Sequence, residues 1–366
     1  MELLQASHQW ATRPADERFT SLDTMLEHFA SQKRNSKERT VANRSLKAIP
    51  NPDHKGLVLQ GPDGSTAAPT NWAFGQLAGL AKAPAGYLRD LPAEIAADCI
   101  NWGIHSQRTV SECGILLQRQ DSGIIQINAL TGPRYGRVWN ADITATVIDR
   151  FGNGTGTDGS DWSVPGEFGQ QVDVTKANTT LFAGDRDMFI FLADEKNRVT
   201  VPNRRKGQSG EMARGFFISN SEVGSATLSI STFLFDYVCC NRIVWGAQKW
   251  KQVRVRHSAG APLRWAEEVM PALKEYREDS TGGITEAIQR AQNLRLDDPT
   301  EFLAKRFGQN LPALLQDISL EQEERPIETI WDAVCAVTEY AKRSKWQDER
   351  TTMERNAGKL LDLTAV

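Results

Sequence analysis

The segment from Asn220 to Trp245, which reads NSEVGSATLSISTFLFDYVCCNRIVW, constrains the fold more than any other part of the chain. It begins with polar residues and a glycine, continues through residues that favour β-strands, and ends in Cys-Cys-Asn-Arg. The strongly basic stretch Lys249–His257 (KWKQVRVRH) follows shortly after, and its side chains alternate as in a strand. We therefore predict a β-sheet in which this segment leads directly into a basic strand.

The composition is that of a globular protein. The 366-residue chain has 40% hydrophobic and 24% charged residues. This length is sufficient to bury a core without disulfide bonds or structural metals. The formal net charge is only −3, so the protein as a whole is not a polycation. Any binding of nucleic acid must therefore come from local basic patches.

Changes in the sequence pattern divide the chain into four parts. Residues 1–68 carry a helix near Ser21–Phe29 followed by a basic, solvated arm, and residues 69–110 form a small helical module. Residues 111–262 form an antiparallel, β-rich core, and residues 263–366 form the C-terminal helices of the same domain. The predicted fold class is α+β, with a mostly antiparallel sheet flanked by an N-terminal helical module and a C-terminal helical region.

Local signals support several of these elements. The turn residues Asp121-Ser122-Gly123 separate two apolar runs and predict a β-hairpin. The spacing of Val138, Ile143 and Val147 predicts a helix rather than a strand. Met188–Ala193 (MFIFLA) is the clearest of the remaining predicted strands.

No motif of an enzyme or a metal site is present. The five cysteines match no zinc spacing, and adjacent Cys239 and Cys240 would point to opposite faces of a strand. The histidines are scattered, and His257, which lies among arginines, suits a surface or capping role better than catalysis. The chain contains no GxSxG, HExxH or phosphate-loop motif. We therefore predict reduced, mostly buried thiols, no catalytic residue, no metal and no cofactor.

The expected location is the cytoplasm. The N-terminus lacks the basic and apolar regions of a signal peptide. No run of about 18 apolar residues, the length that a membrane-spanning helix needs, occurs in the chain.

Two pairs of acidic residues leave a metal-dependent activity open. Asp185 and Asp187 lie at a strand start and resemble the metal pair of a nuclease, but no third acid or lysine follows at a diagnostic spacing. A solvated turn is the favoured interpretation. Asp158 and Asp161 lie in the glycine-rich stretch Phe151–Gly166 and would bind a cation only weakly, so a surface loop is favoured there.

The basic stretches are the strongest functional candidates. One is Arg204–Lys206, in a predicted mobile loop, another is Lys249–His257, and a third spans residues 32–44. Strand alternation in the second stretch places three side chains on one face, namely Trp250, Arg254 and Arg256. An arginine-rich face with one aromatic ring suits backbone phosphates and base stacking. The alternative is a charged sheet edge that prevents edge-to-edge pairing.

Three segments occur together in an order and spacing that are known from one family. Arg134-Tyr135 with Trp139-Asn140 occupies the place of that family's Arg-Tyr...Gln-Asn segment, between a hairpin and a helix. Asn220–Ser225 (NSEVGS) is similar to its Asn-Ser-His-Asp-Gly-Ser turn, with Cys240-Asn241 near its Cys-Thr-Asn segment. Trp331–Tyr340 is similar to its closing helix. The chain thus resembles the DUF932 family of phage- and plasmid-associated proteins of unknown function.

The resemblance extends roughly from Gly114 to the C-terminus and has two departures. Glu222-Val223 stands where the family has His-Asp, and Asn241 follows Cys240 without the intervening threonine. These changes put in doubt any chemistry assigned to the turn. The resemblance implies a fold but no established activity.

The expected function is therefore non-enzymatic DNA binding of a phage or plasmid type, as single-stranded DNA binding or annealing in recombination or replication. The alternative is a protein-interaction factor of a mobile element that modulates a host defence or replication protein. The expected partners are DNA or a host or phage protein in a bacterial or phage-infected cell, with self-association and no membrane. The predicted nucleic-acid-binding residues are Arg134, Arg137, Arg204, Arg205, Lys206, Lys249, Trp250, Lys251, Arg254 and Arg256.

Overall fold

The computed structural model describes residues 15–51, 56–107, 111–165, 174–237, 241–245, 253–279, 281–344 and 347–364. The helices are α1 (Leu22–Arg34), α2 (Asn71–Leu80), α3 (Ala85–Arg89), α4 (Ala93–His105), α5 (Asn140–Phe151), α6 (Ala261–Arg264), α7 (Met270–Glu278), α8 (Gly282–Asn293), α9 (Pro299–Phe307), α10 (Pro312–Glu323), α11 (Ile330–Ala341) and α12 (Gln347–Asp362). The strands are β1 (Arg18–Phe19), β2 (Ser36–Ala42), β3 (Lys47–Pro50), β4 (Leu57–Gln60), β5 (Thr66–Pro69), β6 (Glu112–Arg119), β7 (Ile125–Thr131), β8 (Trp162–Ser163), β9 (Leu181–Ala183), β10 (Met188–Asp194), β11 (Val199–Arg205), β12 (Gln208–Asn220), β13 (Leu228–Asp236), β14 (Asn241–Ile243) and β15 (Val253–Val255).

Two mostly antiparallel sheets and the surrounding helices confirm the predicted α+β class. The larger sheet has the strand order β1-β9-β10-β12-β13-β14, with β8 beside β10, β11 beside β12 and β15 beside β13. The smaller sheet has the order β2-β6-β7-β5-β4-β3. Its β5 and β7 run parallel, because α2 to α4 and β6 lie between them in the chain.

The basic segment after α1 is predicted as an arm, but in the structure part of it is a strand of the smaller sheet. Residues 36–42 form β2, which pairs with β6 from Ser36↔Gln118 to Ala42↔Glu112. Most side chains of β2 are exposed, so pairing of its backbone with β6, and not an apolar pattern, makes this segment a strand. The predicted hairpin is present as β6 and β7, and the predicted helices of residues 69–110 pack their apolar faces against this sheet.

The centre of the larger sheet is buried on both faces. The pairing of β12 with β13 runs from Met212↔Asp236 to Ser219↔Ser229. Even-numbered residues such as Ile190 and Phe216 contact the core formed with α1, α5 and α7. Odd-numbered residues such as Phe191 and Phe217 form a phenylalanine-rich cluster on the other face. Burial on both faces explains why β10 is a continuous apolar run rather than an alternating one.

The C-terminal helices pack against the far end of the larger sheet. Side chains of α8, α11 and α12 form a core with β11 and with the last residues of β13. The helix α11 begins at a capping box between Thr329 and Asp332, which satisfies main-chain N–H groups of its first turn. No helix in the described part of the chain is long and apolar enough to cross a membrane.

A buried ionic network connects the larger sheet to these helices. The Arg204 guanidinium, at the end of β11, pairs with Asp236 of β13, and its Nη1 donates to Glu323 Oε1 of α10 at 2.9 Å. Arg204 is 1% exposed, and its Cζ lies 5.9 Å from the centroid of the Trp331 ring. Such a network tolerates little change, because removal of one partner leaves the others charged in the interior.

The stretch Arg204–Lys206 is therefore not the predicted mobile loop. Besides the network of Arg204, Nε of Arg205 donates to the main-chain oxygen of Gln322 at 2.7 Å. Lys206 forms a more exposed ion pair with Glu324 just after α10. The prediction that Arg204 binds nucleic acid is therefore wrong, because its side chain is buried. Arg205 and Lys206 are held by residues at the end of α10 and just after it.

Replacing Arg204 with alanine tests the role of the network in stability. Arg204→Ala should lower the free energy of unfolding by about 3–5 kcal/mol, because it removes the cation that neutralises two buried carboxylates. Lys206→Ala is the matched control, since exposed ion pairs contribute about 0–1 kcal/mol. Urea denaturation followed by circular dichroism measures both values, and equal losses in the two variants would contradict the assignment.

Candidate functional site

The residues that precede α5 lie directly against the residues that follow β15. Tyr135 forms an isolated β-bridge with Ser258, and Gly136 N donates to His257 O at 3.2 Å. The approach requires glycine, because a Cβ atom at Gly136 would lie 1.9 Å from Ser258 O. The His257 ring stacks on Tyr135 with a centroid distance of 4.9 Å. Burial lowers the pKa of His257, so its ring is neutral near pH 7.

This contact brings together arginines that are far apart in the chain. Arg134 is exposed beside Tyr135, and Arg254 and Arg256 are exposed on either side of buried Val255. Arg264 Nη2 donates to Arg256 O at 2.9 Å. We call Arg134, Arg254, Arg256 and Arg264 the arginine strip. Among the described residues, no carboxylate forms an ion pair with its first three members.

The structure places the other predicted binding residues elsewhere. Arg137 is 8% exposed, pairs with Glu38, and has its Cζ 5.6 Å from the centroid of the Trp139 ring. Its guanidinium therefore packs in the interior between Glu38 and Trp139 and is not available to a ligand at the surface. Three predicted residues, Lys249, Trp250 and Lys251, lie outside the described residues.

Two of the three segments that carry the family resemblance meet at the turn between β12 and β13. Asn220 is fully buried, and its Nδ2 donates to Val138 O at 2.9 Å and to Asn140 Oδ1 at 2.7 Å. The hydroxyl oxygen of Ser221 accepts from the main-chain N–H of Ser225 at 3.0 Å, which closes the turn. Asn220 thus anchors the start of α5 to the end of β12.

The helical module also holds this turn. Trp72 Nε1 and Gln76 Nε2, both on α2, donate to Val223 O at 3.0 and 2.8 Å. Gln76 Oε1 accepts from the main-chain N–H of Leu130 on β7 at 2.9 Å. The turn is therefore fixed between the smaller sheet, the helical module and α5.

A polar cleft of about 290 Å³ opens beside this turn, between the smaller sheet, α1 and the β9–β10 connection. Glu222 lines it, and its Oε1 accepts from the main-chain N–H of Asn140 at 2.5 Å. Burial raises the pKa of Glu222 to about 7, against the opposing effects of the Asn140 N–H group and Arg137. A carboxyl group in this state exchanges a proton near neutral pH, which is typical of functional sites.

Sequence reasoning missed this cleft, although a signal exists. Gln118, Gln120, Gln126 and Asn128 all line it from the β6–β7 hairpin. In the sequence they are amides at every second position, ILLQRQDSGIIQINAL, which marks one strand face as polar and hydrogen-bonding. Only the fold shows that this face looks into a cleft rather than into solvent.

The acidic pairs have different environments. Asp185 is exposed at the cleft, but Asp187 is 4% exposed, so the prediction of a solvated turn is wrong for Asp187. Asp158 accepts from the main-chain N–H groups of Asn153 and Ser160, which lowers its pKa, and Asp161 pairs with Lys196. Within the described residues, no three His, Cys, Asp or Glu side chains are arranged to hold a metal ion.

The cysteines that the structure describes are part of the cores. Cys113 and Cys335 are buried and Cys99 is half-buried. Burial raises the pKa of the Cys113 thiol to about 11, which makes it unreactive. Cys239 and Cys240 lie outside the described residues.

The raised pKa of Glu222 predicts a pH-dependent stability. The folded chain holds a proton that the unfolded chain, with an ordinary carboxyl pKa of 4.5, releases. The contribution of Glu222 to the free energy of unfolding is therefore fully present below pH 4.5 and is lost as the pH rises through about 7. Relative to Glu222→Gln, which cannot ionise, the wild type should lose about 2 kcal/mol across this window, allowing for partial exposure. Urea unfolding of both proteins at several pH values measures the difference, and parallel profiles would contradict it.

Comparisons with known proteins agree with the resemblance noted in the sequence. The family model described as domain of unknown function DUF932 matches residues 168–361, which is slightly more than half of the 366-residue chain. No curated protein and no solved structure matches the chain. The match includes the Asn220–Ser225 turn, β15 and the C-terminal helices, whereas the Tyr135 segment lies outside it. The chain therefore belongs to the DUF932 family.

Proposed function

We propose that this protein is a non-enzymatic DNA-binding protein that holds single-stranded DNA on the arginine strip during recombination or replication of a phage or plasmid type. The observation that carries the proposal is the Tyr135–Ser258 bridge, which brings the segment that contains Arg134 against the segment that contains Arg254 and Arg256. Arginines without carboxylate partners contact phosphates readily, because no ion pair has to break first.

The local charge of the strip supports this proposal in spite of the net charge of −3. Arg264 is held against the main chain of Arg256, and Arg355 of α12 lies near enough to Arg254 for its pKa to be lowered, first by burial and then by that positive charge. The positive charges of Arg254 and Arg355 repel each other, so a bound polyanion stabilises them. The strip therefore has the electrostatics of a phosphate-binding surface.

The rings beside the strip support a preference for single strands. Tyr135 and His257 form a half-buried stack next to Arg134 and Arg256. Unpaired bases stack on aromatic rings independently of sequence. The His257 ring is the candidate for such stacking, because His257 and the Arg137 guanidinium already contact the Tyr135 ring. In double-stranded DNA the bases are paired inside the helix, so a duplex would gain the phosphate contacts but not the stacking, and it should bind more weakly than a single strand.

Removing two arginines of the strip tests the proposal. Arg254→Ala combined with Arg256→Ala should weaken the binding of a labelled single-stranded oligonucleotide by about tenfold and reduce the slope of log K against log salt by about 1.4, because each phosphate contact contributes about 0.7. Fluorescence anisotropy across a salt series measures both quantities.

The matched control removes the same charge elsewhere. Arg290 and Arg295, at the C-terminal end of α8, form exposed ion pairs with Glu286 and Glu328. Their double alanine variant should bind DNA as the wild type does. Equal losses in both double variants, or no binding by the wild type at about 50 mM salt, would refute the proposal.

Protein binding is a second candidate function, and one observation favours it. Ile95 and Trp102 lie two turns apart on one face of α4 and are 51% and 75% exposed. Tyr87 on α3 is 62% exposed. Exposed apolar patches of this kind mark interaction surfaces in many proteins. The partner that the purified chain can test is a second copy of itself.

Sedimentation velocity tests this second candidate. If α4 mediates self-association, the wild type should sediment as a dimer or larger species, and Trp102→Ser should sediment as a monomer, because the variant loses most of the apolar contact area. Leu320→Ser is the control, since it removes an apolar side chain that is 52% exposed on a different helix, α10, and it should leave self-association unchanged. A monomeric wild type at all concentrations would contradict self-association through this face.

A further inference from the structure

The polar cleft has one wall built almost entirely from amides. On the β6–β7 hairpin, Gln118 pairs across the strands with Gln126, and Gln120 and Asn128 continue the same polar face. The intervening side chain of Ile127 points the other way, into the core of the smaller sheet. This arrangement presents a ladder of hydrogen-bonding groups to the cleft.

The ladder retains unused hydrogen-bonding capacity. Gln120 Nε2 donates to Gln126 Oε1 at 3.1 Å, and Asn128 Nδ2 donates to Gln118 Oε1. Each primary amide has two N–H donors and an oxygen with two lone pairs, so these bonds use only part of the hydrogen-bonding capacity of the four side chains. Asn128 Oδ1 is enclosed and accepts no hydrogen bond from any described residue.

The opposite wall is rich in carboxylates. Asp185 and Asp187 of the β9–β10 connection line it as carboxylates. Glu222 lies beside them and, with its pKa raised to about 7, is partly protonated near neutral pH. Arg186 is the single lysine or arginine among the lining residues that the structure describes. His28 on α1 also lines the cleft, and burial lowers its pKa, so it adds no positive charge near pH 7. This wall repels phosphate groups and accepts hydrogen bonds.

The size of the cleft limits the ligand. Its volume of about 290 Å³ is at the small end for ligand sites, which begin near 300 Å³. Leu116, Ala183 and Val223 add apolar surface between the two polar walls. A single small ring system with polar edges suits this combination better than a nucleotide with its phosphates.

The balance of donors and acceptors indicates which ring system. Ionised carboxylates only accept, whereas amides both donate and accept, so the cleft favours a ligand that has amino groups next to acceptor atoms. Adenine, cytosine and guanine have this pattern, whereas thymine and uracil lack the amino group. Amide side chains pair with adenine, and carboxylates accept from the amino group of cytosine, by the same geometry.

We propose that this cleft binds an amino-bearing nucleobase, with any phosphate kept outside. The base belongs either to a free nucleoside or to an unstacked position of a single strand, and only the second case rests on the proposed function. In that case the arginine strip holds the phosphates while the cleft accepts a base.

Isothermal titration calorimetry with nucleosides tests the proposal. Adenosine or cytidine should bind, and adenosine monophosphate should bind more weakly than adenosine. Thymidine should bind at least about tenfold more weakly, because its base has no amino group to donate to the carboxylate wall next to a ring acceptor. No heat with any nucleoside at millimolar concentration would overturn the inference. Equal affinity for thymidine, or tighter binding of the monophosphate, would overturn it as well.

Variants on two separate elements locate the binding. Gln126→Leu on β7 and Gln32→Leu on α1 should each weaken adenosine binding by about tenfold, because each removes a hydrogen-bonding side chain that lines the cleft. Gln292→Leu on α8 is the matched control, since its amide bonds to Pro202 O outside the cleft. Circular dichroism confirms that each variant is folded. Adenosine binding that is unchanged in both folded cleft variants would overturn the assignment.

The double variant of Arg254 and Arg256 separates this inference from the proposed function. Nucleoside binding should persist in it, because neither arginine lines the cleft. Loss of nucleoside binding in this variant would overturn the cleft as an independent site. Wild-type protein that binds nucleosides but no oligonucleotide would refute the DNA proposal and leave the nucleoside site supported.

Discussion

The buried amide of Asn220 is the contact on which the rest of the site depends. It joins the end of β12 to the start of α5 through hydrogen bonds to Val138 O and Asn140 Oδ1. Glu222 strengthens the same junction by accepting from the main-chain N–H of Asn140. A buried polar group that loses its partner costs about 1–3 kcal/mol, so this junction holds the turn in one position relative to both sheets.

The two proposed binding surfaces share this junction and have opposite electrostatics. On one side, Tyr135 and Gly136 contact the residues that follow β15, next to the exposed Arg254 and Arg256. On the other side, Asn140 and Glu222 line a cleft that has amides on one wall and carboxyl groups on the other. A single strand of DNA carries its phosphates on one edge and its bases on the other. The arginine strip suits the phosphates, and the cleft suits a base.

Elements with a strong local pattern are predictable from the sequence, whereas those defined by their neighbours are not. The hairpin around Asp121–Gly123 and the capped helix after Thr329 depend on residues close in the chain, and both are present. Strand β2 lacks an apolar pattern and exists because β6 pairs with it, so the sequence favours a loop there. The amide ladder is visible as a polar strand face, but its role depends on α1 and on the turns that close the cleft.

The sequence by itself determined the α+β class, the positions of the strongest helices and strands, and the family to which the chain belongs, because these depend on local patterns and motifs. Only the tertiary structure decided which basic residues face solvent. Arg204 and Arg254 both belong to basic stretches and both lie in strands, yet Arg204 meets Asp236 and Glu323 in the interior while Arg254 is exposed. The difference arises because an arginine is buried only where carboxylates from distant segments neutralise it, and the sequence does not reveal which segments will meet.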